Sequence, residues 1–167
     1  MVTEFVNADL IAQGLSGFKP EGAVIQAGRV MLERIHYLAN KQVDFAFETT
    51  LASKTFAPWI NELCQTGYTF YLVFLWLPNE AFAIDRVAER VRMGGHNVPA
   101  ETIRRRYHAG IRNFFNLYRR IADTWFFYEN SSAEEPRLLA YGKKEQTLMI
   151  NEPIIWNNIK EKYENKE

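Results

Sequence analysis

The sequence is poor in the residues that most often announce a chemistry. One cysteine, Cys64, stands alone in 167 residues, so the chain by itself forms no disulfide, which suits a reducing compartment. The three histidines, His36, His96 and His108, fall at no HxH or HxxxH spacing, and a CxxC pair cannot exist, so no metal site is expected. A GxSxG nucleophile elbow is also missing. Net charge is absent too: 20 Lys and Arg balance 20 Asp and Glu. That balance argues against a generally basic nucleic-acid binder and requires any anion site to be local. The most apolar run, "YTFYLVFLWLP", is well short of the ~20 residues that span a bilayer. The start, "MVTEFVNADL", lacks the basic residues and apolar run of a signal peptide. A cytoplasmic protein with no membrane partner is expected.

What the chain does have is a core. Nearly half of it is apolar and aromatics are frequent, which excludes disorder, and the length predicts a single domain over residues 1–167. "EFVN" reads as a short strand, and "ADLIAQGLSGFKPEG" as a short helix with a Gly/Pro loop. Val24, Ala27, Met31, Ile35 and Leu38 recur at helical spacing between Glu21 and Asn40. "VDFAFETT" reads as a buried-type strand that ends on a carboxylate. "SKTFAPWINELCQTG" reads as a serine-capped helix stopped by Gly67. "YTFYLVFLWLP" is apolar on both faces, as in a sheet covered on both sides. A helix capped by Asn79 runs to Gly94-Gly95, and a second runs from about Pro99 to Ala122. "TWFFYENS", "RLLAYG" and "QTLMIN" are strands, and "EPIIWNNIKEKYENKE" is a closing helix with a solvated tail. This alternation predicts an α/β fold with a mostly parallel sheet and helices on both faces.

In such sheets ligands bind beyond the carboxyl ends of the strands. Asn7-Ala8-Asp9, Glu48-Thr49-Thr50, Pro78-Asn79-Glu80 and Glu129-Asn130-Ser131 occupy those places. Between Arg86 and Phe115 lie seven arginines and no lysine. A solvated face paired with Asp85, Glu89 and Glu101 is the plainest account of them. Two features favour an anion site. Guanidinium grips phosphate oxygens bidentately where ammonium cannot, and "MGGHNVP" splits the cluster into two helices that could close as a lid over residues 86–112. Asp9 is either a helix cap or a functional carboxylate. Glu48 ends an apolar strand, where an idle carboxylate is costly. Thr49 and Thr50 read equally as turn residues or hydroxyl donors. His96 is a loop histidine or a lid residue near phosphate, and Cys64 reads as a buried inert thiol. Carboxylates facing arginines suit phosphoryl transfer, which needs a base for the attacking hydroxyl and positive charge for the moving phosphoryl group.

Taken in order, "EFVNADLIAQGLSGF", "FAFETTLAS", "FLWLP", "RVAERVRMGGHNVP", "IRRRYHAGIRNFF" and "YENS" resemble the zeta-toxin-like P-loop kinases. The branch described as predicted ABC-type ATPases is the nearer. The likeness runs from about Phe5 to Leu139. It implies a P-loop-kinase-like sheet and ATP-dependent, Mg2+-assisted phosphorylation of a small hydroxyl substrate; toxin members act on UDP-N-acetylglucosamine. It implies Asp9 as the base, with Asn7 beside it on the substrate side, and Glu48 and Thr50 as substrate holders. It further implies Arg90, Arg92, Arg105 and Arg106 as phosphate-contacting lid residues, with His96 in the same lid.

The family also opens with a strand, a GxxxxGK[ST] loop and a helix. Here that motif occurs nowhere, and "GLSGFK" has the wrong spacing and follows no strand. The chain therefore resembles a member lacking its first strand and P-loop, and is expected to be inactive alone. The missing strand would leave two apolar strands, Asp44–Glu48 and Thr69–Leu77, with bare edges. Those strands would pair directly, be joined by another chain, or stay open. An antitoxin or a strand-supplying chain is an expected partner, beside nucleotide and a small hydroxyl substrate. The alternatives are a non-catalytic nucleotide- or partner-binding remnant and, third, a nucleic-acid module on the arginine helices. The neutral total charge disfavours the last.

Overall fold

The computed structural model describes residues 2–16, 20–132 and 135–165. The glycine–lysine string at 14–19 thus lies partly outside the described residues, as does the end of the C-terminal tail. The chain is a mixed α/β protein. Its contacts cluster into two compact units: Met1–Thr49 with Ile84–Ala100, and Thr50–Ala83 with Glu101–Glu167.

The first unit begins with β1 (Glu4–Val6), α1 (Ala8–Leu15) and α2 (Pro20–Asn40), followed by β2 (Phe45–Phe47). Helix α4 (Glu80–Arg92) contributes its second half and the loop after it. β1 and β2 form a two-stranded parallel sheet in which Val6 stands opposite Phe47. Both strands therefore end on the same side, and Glu48 N–H continues the ladder to the Val6 carbonyl at 3.1 Å. Helices α1 and α2 meet through Ala12, Ala23 and Ala27, three methyl-sized side chains that let the backbones approach. Met31, Ile35 and Leu38 complete the buried stripe of α2 at the helical spacing expected, but Val24, expected in that stripe, is exposed and Ala23 is buried instead.

The second unit contains α3 (Phe56–Gln65), β3 (Tyr71–Trp76) and α5 (Ala100–Asn113). A π-helical turn (Phe114–Tyr118) follows α5 and leads into α6 (Arg119–Ile121). β4 (Thr124–Glu129), β5 (Arg137–Lys143), β6 (Gln146–Ile150) and α7 (Pro153–Tyr163) complete it. Its sheet has the order β3-β4-β5-β6; β3 and β4 are parallel, whereas β4-β5 and β5-β6 are antiparallel. Parallel and antiparallel pairs are thus equal in number across the two sheets of the described residues, because short connections after β4 return the chain as a meander. The core lies on one face of this sheet. Phe114, Phe115, Tyr118, Trp125, Phe127 and Trp156 are all buried there. Trp125 and Trp156 stack with ring centres 5.5 Å apart, and Phe114 meets Trp125 edge to face at 5.7 Å.

Two expectations about the strands are corrected. β3 is not covered on both faces: Leu72 and Trp76 are buried, but Tyr71, Val73 and Leu75 are 65%, 58% and 51% exposed. β3 is the outer strand of its sheet and β2 lies in the other sheet, so the two apolar strands do not pair with each other. Ser53 also fails to cap α3. Thr55 stands at that helix's N-cap, and Ser53 Oγ instead accepts from the Thr55 N–H at 3.1 Å, closing a local turn. Among the described residues no helix is long and apolar enough to cross a membrane.

Candidate functional site

The site grows from the shared end of β1 and β2. Asn7 leaves β1 in an extended conformation and caps α1, its Oδ1 accepting from the N–H groups of Asp9 (2.7 Å) and Leu10 (3.1 Å). The cap is therefore Asn7, and the reading of Asp9 as the cap is set aside. Asp9 occupies the first turn, where the helix dipole favours a carboxylate. Asn7 also acts across the strand pair, its Nδ2 donating to Glu48 Oε2 at 2.5 Å. Both ends of the amide thus demand the same orientation, because the carboxylate needs a donor and the helix N–H groups need an acceptor. Glu48 itself is exposed rather than buried, because β2 is three residues long and has one partner strand. A depression of about 280 Å³ opens beside this strand end, lined by Phe5, Val6, Asn7, Leu10, Ile11 and Arg34.

Arg90 and His96 close on Asp9 from the other segment of the same unit. Arg90 Nη1 donates to Asp9 Oδ2, and His96 Nδ1 lies 3.3 Å from Asp9 Oδ1. Each carboxylate oxygen thus has its own cationic or polar partner. The turn that places them can be read from its hydrogen bonds. Gly95 N–H reaches back to the Arg90 carbonyl at 2.9 Å, and Gly94 N–H to the Val91 carbonyl at 3.0 Å. Gly94 has a φ of 91°. This is the Schellman ending of α4, and it needs glycine at the left-handed position. A Cβ on Gly95 would lie 2.7 Å from Arg90 Cγ, so the turn packs directly on the arginine's stem. His96 follows that turn with its side chain only 12% exposed.

The other expected site residues are placed differently. Arg92, Arg105 and Arg106 are exposed and form no salt bridge among the described residues. Thr50, Arg105 and Arg106 belong to the second unit. Thr50 Oγ1 is exposed, 3.5 Å from the Ala52 N–H. Arg104 behaves as the plain helix-face reading predicts, with Nη1 2.5 Å from Glu101 and Nε 3.6 Å from Glu80. At the end of β4, Glu129 is engaged by Ser131 (2.8 Å) and Arg137 (2.5 Å), and the Arg137 contact holds its carboxyl below the usual value. Cys64 is partly rather than fully buried, and burial pushes its thiol upward.

Several contacts of the second unit have no sequence signature. His108 bridges Tyr163 Oη (2.7 Å) and Glu80 Oε2 (2.8 Å). Tyr107 donates to the Leu77 carbonyl at 2.9 Å, and burial raises its phenol to about 12. Gly110 lies so close to the segment after β2 that an added Cβ would be 2.4 Å from the Thr50 carbonyl oxygen. A second depression, about 730 Å³, sits where β3 and β4 begin, among Tyr71, Arg120, Asp123, Thr124 and Lys144. Ligand sites of α/β sheets favour the opposite strand ends, so this depression is not the candidate.

Among known proteins, the chain is similar to an uncharacterized protein of Haemophilus influenzae (strain ATCC 51907 / DSM 11121 / KW20 / Rd). The two are 24% identical over 102 residues, which cover 61% of this chain and 73% of the relative. No known protein family and no solved structure matches the chain.

Proposed function

We propose that this chain is the kinase-like part of a zeta-toxin-like, ATP-dependent phosphotransferase, with a P-loop-kinase-like arrangement of its parallel strands. The substrate is a small hydroxyl compound, and UDP-N-acetylglucosamine is the first to test. One observation carries this reading: the Asp9 carboxylate lies just past a parallel strand end, with Arg90 and His96 set against it and Glu48 held by Asn7 beside it. In the transfer, the substrate hydroxyl gives its proton to Asp9 and its oxygen bonds to phosphorus. The bond from phosphorus to the leaving diphosphate then breaks. Asn7 and Glu48 offer a donor and an acceptor to neighbouring hydroxyls, and Arg90 neutralises phosphoryl charge. The resemblance alone assigns Thr50 to the substrate and Arg92, Arg105 and Arg106 to phosphate.

ATP and magnesium also enter by the resemblance. The lysine and hydroxyl of a GxxxxGK[ST] loop occur nowhere in the sequence. Among the described residues no three His, Cys, Asp or Glu come together as a metal site. The residues present fit part of a phosphate grip but not the whole nucleotide site, so no step is routed through the metal. The chain alone is expected to transfer no phosphoryl group, since losing the loop costs several powers of ten in rate, on the order of 4–7 kcal/mol.

The test has two arms. Calorimetry is expected to detect UDP-N-acetylglucosamine binding that weakens in Glu48→Gln and Asn7→Ala; absence of binding, or indifference to both changes, would sink the reading. A radiolabelled ATP assay is expected to show no transfer, and robust turnover would mean the phosphate site is misplaced. A second reading, a non-catalytic nucleotide- or partner-binding remnant, is favoured by the missing phosphate loop. It predicts nucleotide binding without UDP-sugar binding.

A further inference from the structure

The contact between Asp9 and Arg90 poses a problem for a general base. A carboxylate that must take a proton from a substrate is here engaged on both oxygens, by Arg90 at one and His96 at the other. The partners are not gathered by Asp9. The Schellman turn at Gly94-Gly95 sets the stem of Arg90 and the start of the His96 loop by bonds internal to that segment. What results is a small two-pronged cradle for a group with two or more oxygens. It also has capacity to spare, because Arg90 Nε is buried and finds no acceptor among the described residues. A carboxylate uses one guanidinium nitrogen here, whereas a phosphate has further oxygens to offer.

We propose that Arg90 and His96 form an oxyanion cradle whose resident occupant is Asp9, and that a phosphoryl group displaces Asp9 from it. This rests on the phosphotransferase reading for the use it makes of Asp9. Before phosphate arrives, the base is masked by its own counter-ion. When phosphate takes Arg90, Asp9 is released to accept the hydroxyl proton. Masking of this kind makes proton abstraction conditional on an occupied phosphate site. It requires only that the two anions compete for one cation, a differential interaction of the sort that shifts a conformational equilibrium.

The probe is inorganic pyrophosphate, titrated by calorimetry into the full chain at fixed moderate salt, because such binding is screened. Asp9→Asn keeps the shape and removes the competing charge, and is expected to bind pyrophosphate at least about fivefold more tightly than the unchanged chain. Arg90→Gln and His96→Ala are expected to lose at least as much in the unchanged background, and Arg112→Gln, an exposed arginine outside the cradle, to stay within about twofold. Tight binding by Asp9→Asn where the unchanged chain binds none supports the proposal most directly. Equal or weaker binding by Asp9→Asn overturns it, as does binding by neither protein or indifference to Arg90→Gln. Should Asp9→Asn fail to fold, nuclear magnetic resonance of the unchanged chain decides. Pyrophosphate is expected to shift the His96 ring signals and leave those of His36 in place; unmoved His96 signals overturn the cradle. No hydroxyl substrate enters these measurements, so they can fail while UDP-N-acetylglucosamine still binds, and the reverse.

Discussion

Asn7 and Glu48 are joined side chain to side chain at 2.5 Å from the ends of two paired parallel strands, and the same Asn7 caps helix α1. One amide therefore fixes both the start of the helix that carries Asp9 and the orientation of the neighbouring carboxylate. Asn7→Ala removes both roles and is expected to lower stability by about 1 kcal/mol from the lost cap. Asn7→Asp keeps the cap acceptor but sets a second negative charge against Glu48, so its melting temperature should fall between the two. An Asn7→Ala chain that melts like the parent would show that the cap carries no weight.

Gly110 makes a close backbone approach within the second unit. Its missing Cβ would lie 2.4 Å from the Thr50 carbonyl oxygen, a backbone atom that cannot swing away. Gly110→Ala should raise helix propensity slightly, yet destabilise the chain by ~1–3 kcal/mol through overpacking. Urea denaturation reads the sign directly. Stabilisation would mean that the segment after β2 yields freely.

Arg119 is buried with its guanidinium over the Phe115 and Trp125 rings, where it meets Glu164 at the end of α7. Burial lowers its pKa and Glu164 opposes that change, so the carboxylate is what keeps a buried cation tolerable. Glu164→Ala strands the charge and is expected to cost about 3–5 kcal/mol. The double change to Arg119→Met with Glu164→Ala should recover a large part of that loss. If the single change costs no more than an exposed ion pair, Arg119 is better solvated than its burial implies.

The pair Glu129 and Arg137 gives stability a pH dependence. The Arg137 hydrogen bond holds the Glu129 carboxyl below its ordinary 4.5, with help from Ser131 and against burial. The folded chain thus gives up this proton more readily than the unfolded chain. The stabilisation is present above about pH 4.5 and is lost as pH falls through the lowered folded value. Arg137→Gln should therefore be weaker than the parent at neutral pH, with the gap closing in acid. A gap in urea midpoint that stays constant from pH 7 to pH 3 would remove Glu129 as its cause.

What could be read in advance was mostly local. The Asn79 cap of α4, whose Oδ1 accepts from Ala81 and Phe82, and the glycine stop after Arg92 follow from groups a few residues apart. The helical stripe of α2 is equally local. The candidate site was half visible. Asp9 and Glu48 stand past strand ends as the α/β pattern implied, but Asn7's double duty joins positions 41 residues apart. Among four similar arginines, composition could not select Arg90. That choice follows from the turn that packs Gly95 on its stem. The π-helical turn was also invisible, because the run from Pro99 to Ala122 reads as one helix. The turn places Phe114, Phe115 and Tyr118 in the core, a matter of what lies across from them.

The sequence by itself determined the order and type of most elements, the Asn79 cap and the glycine stops after α3 and α4, because these depend on backbone preference and side chains within a turn or two. The tertiary structure alone decided that β3 is an outer strand with Tyr71, Val73 and Leu75 exposed, and that β5 and β6 run antiparallel. It also decided that Asp9 is met by Arg90 and His96 rather than by open solvent. Those outcomes turn on which distant segments share a ladder or a charge, and such pairing depends on loop closure and burial summed over the fold, which no local pattern records.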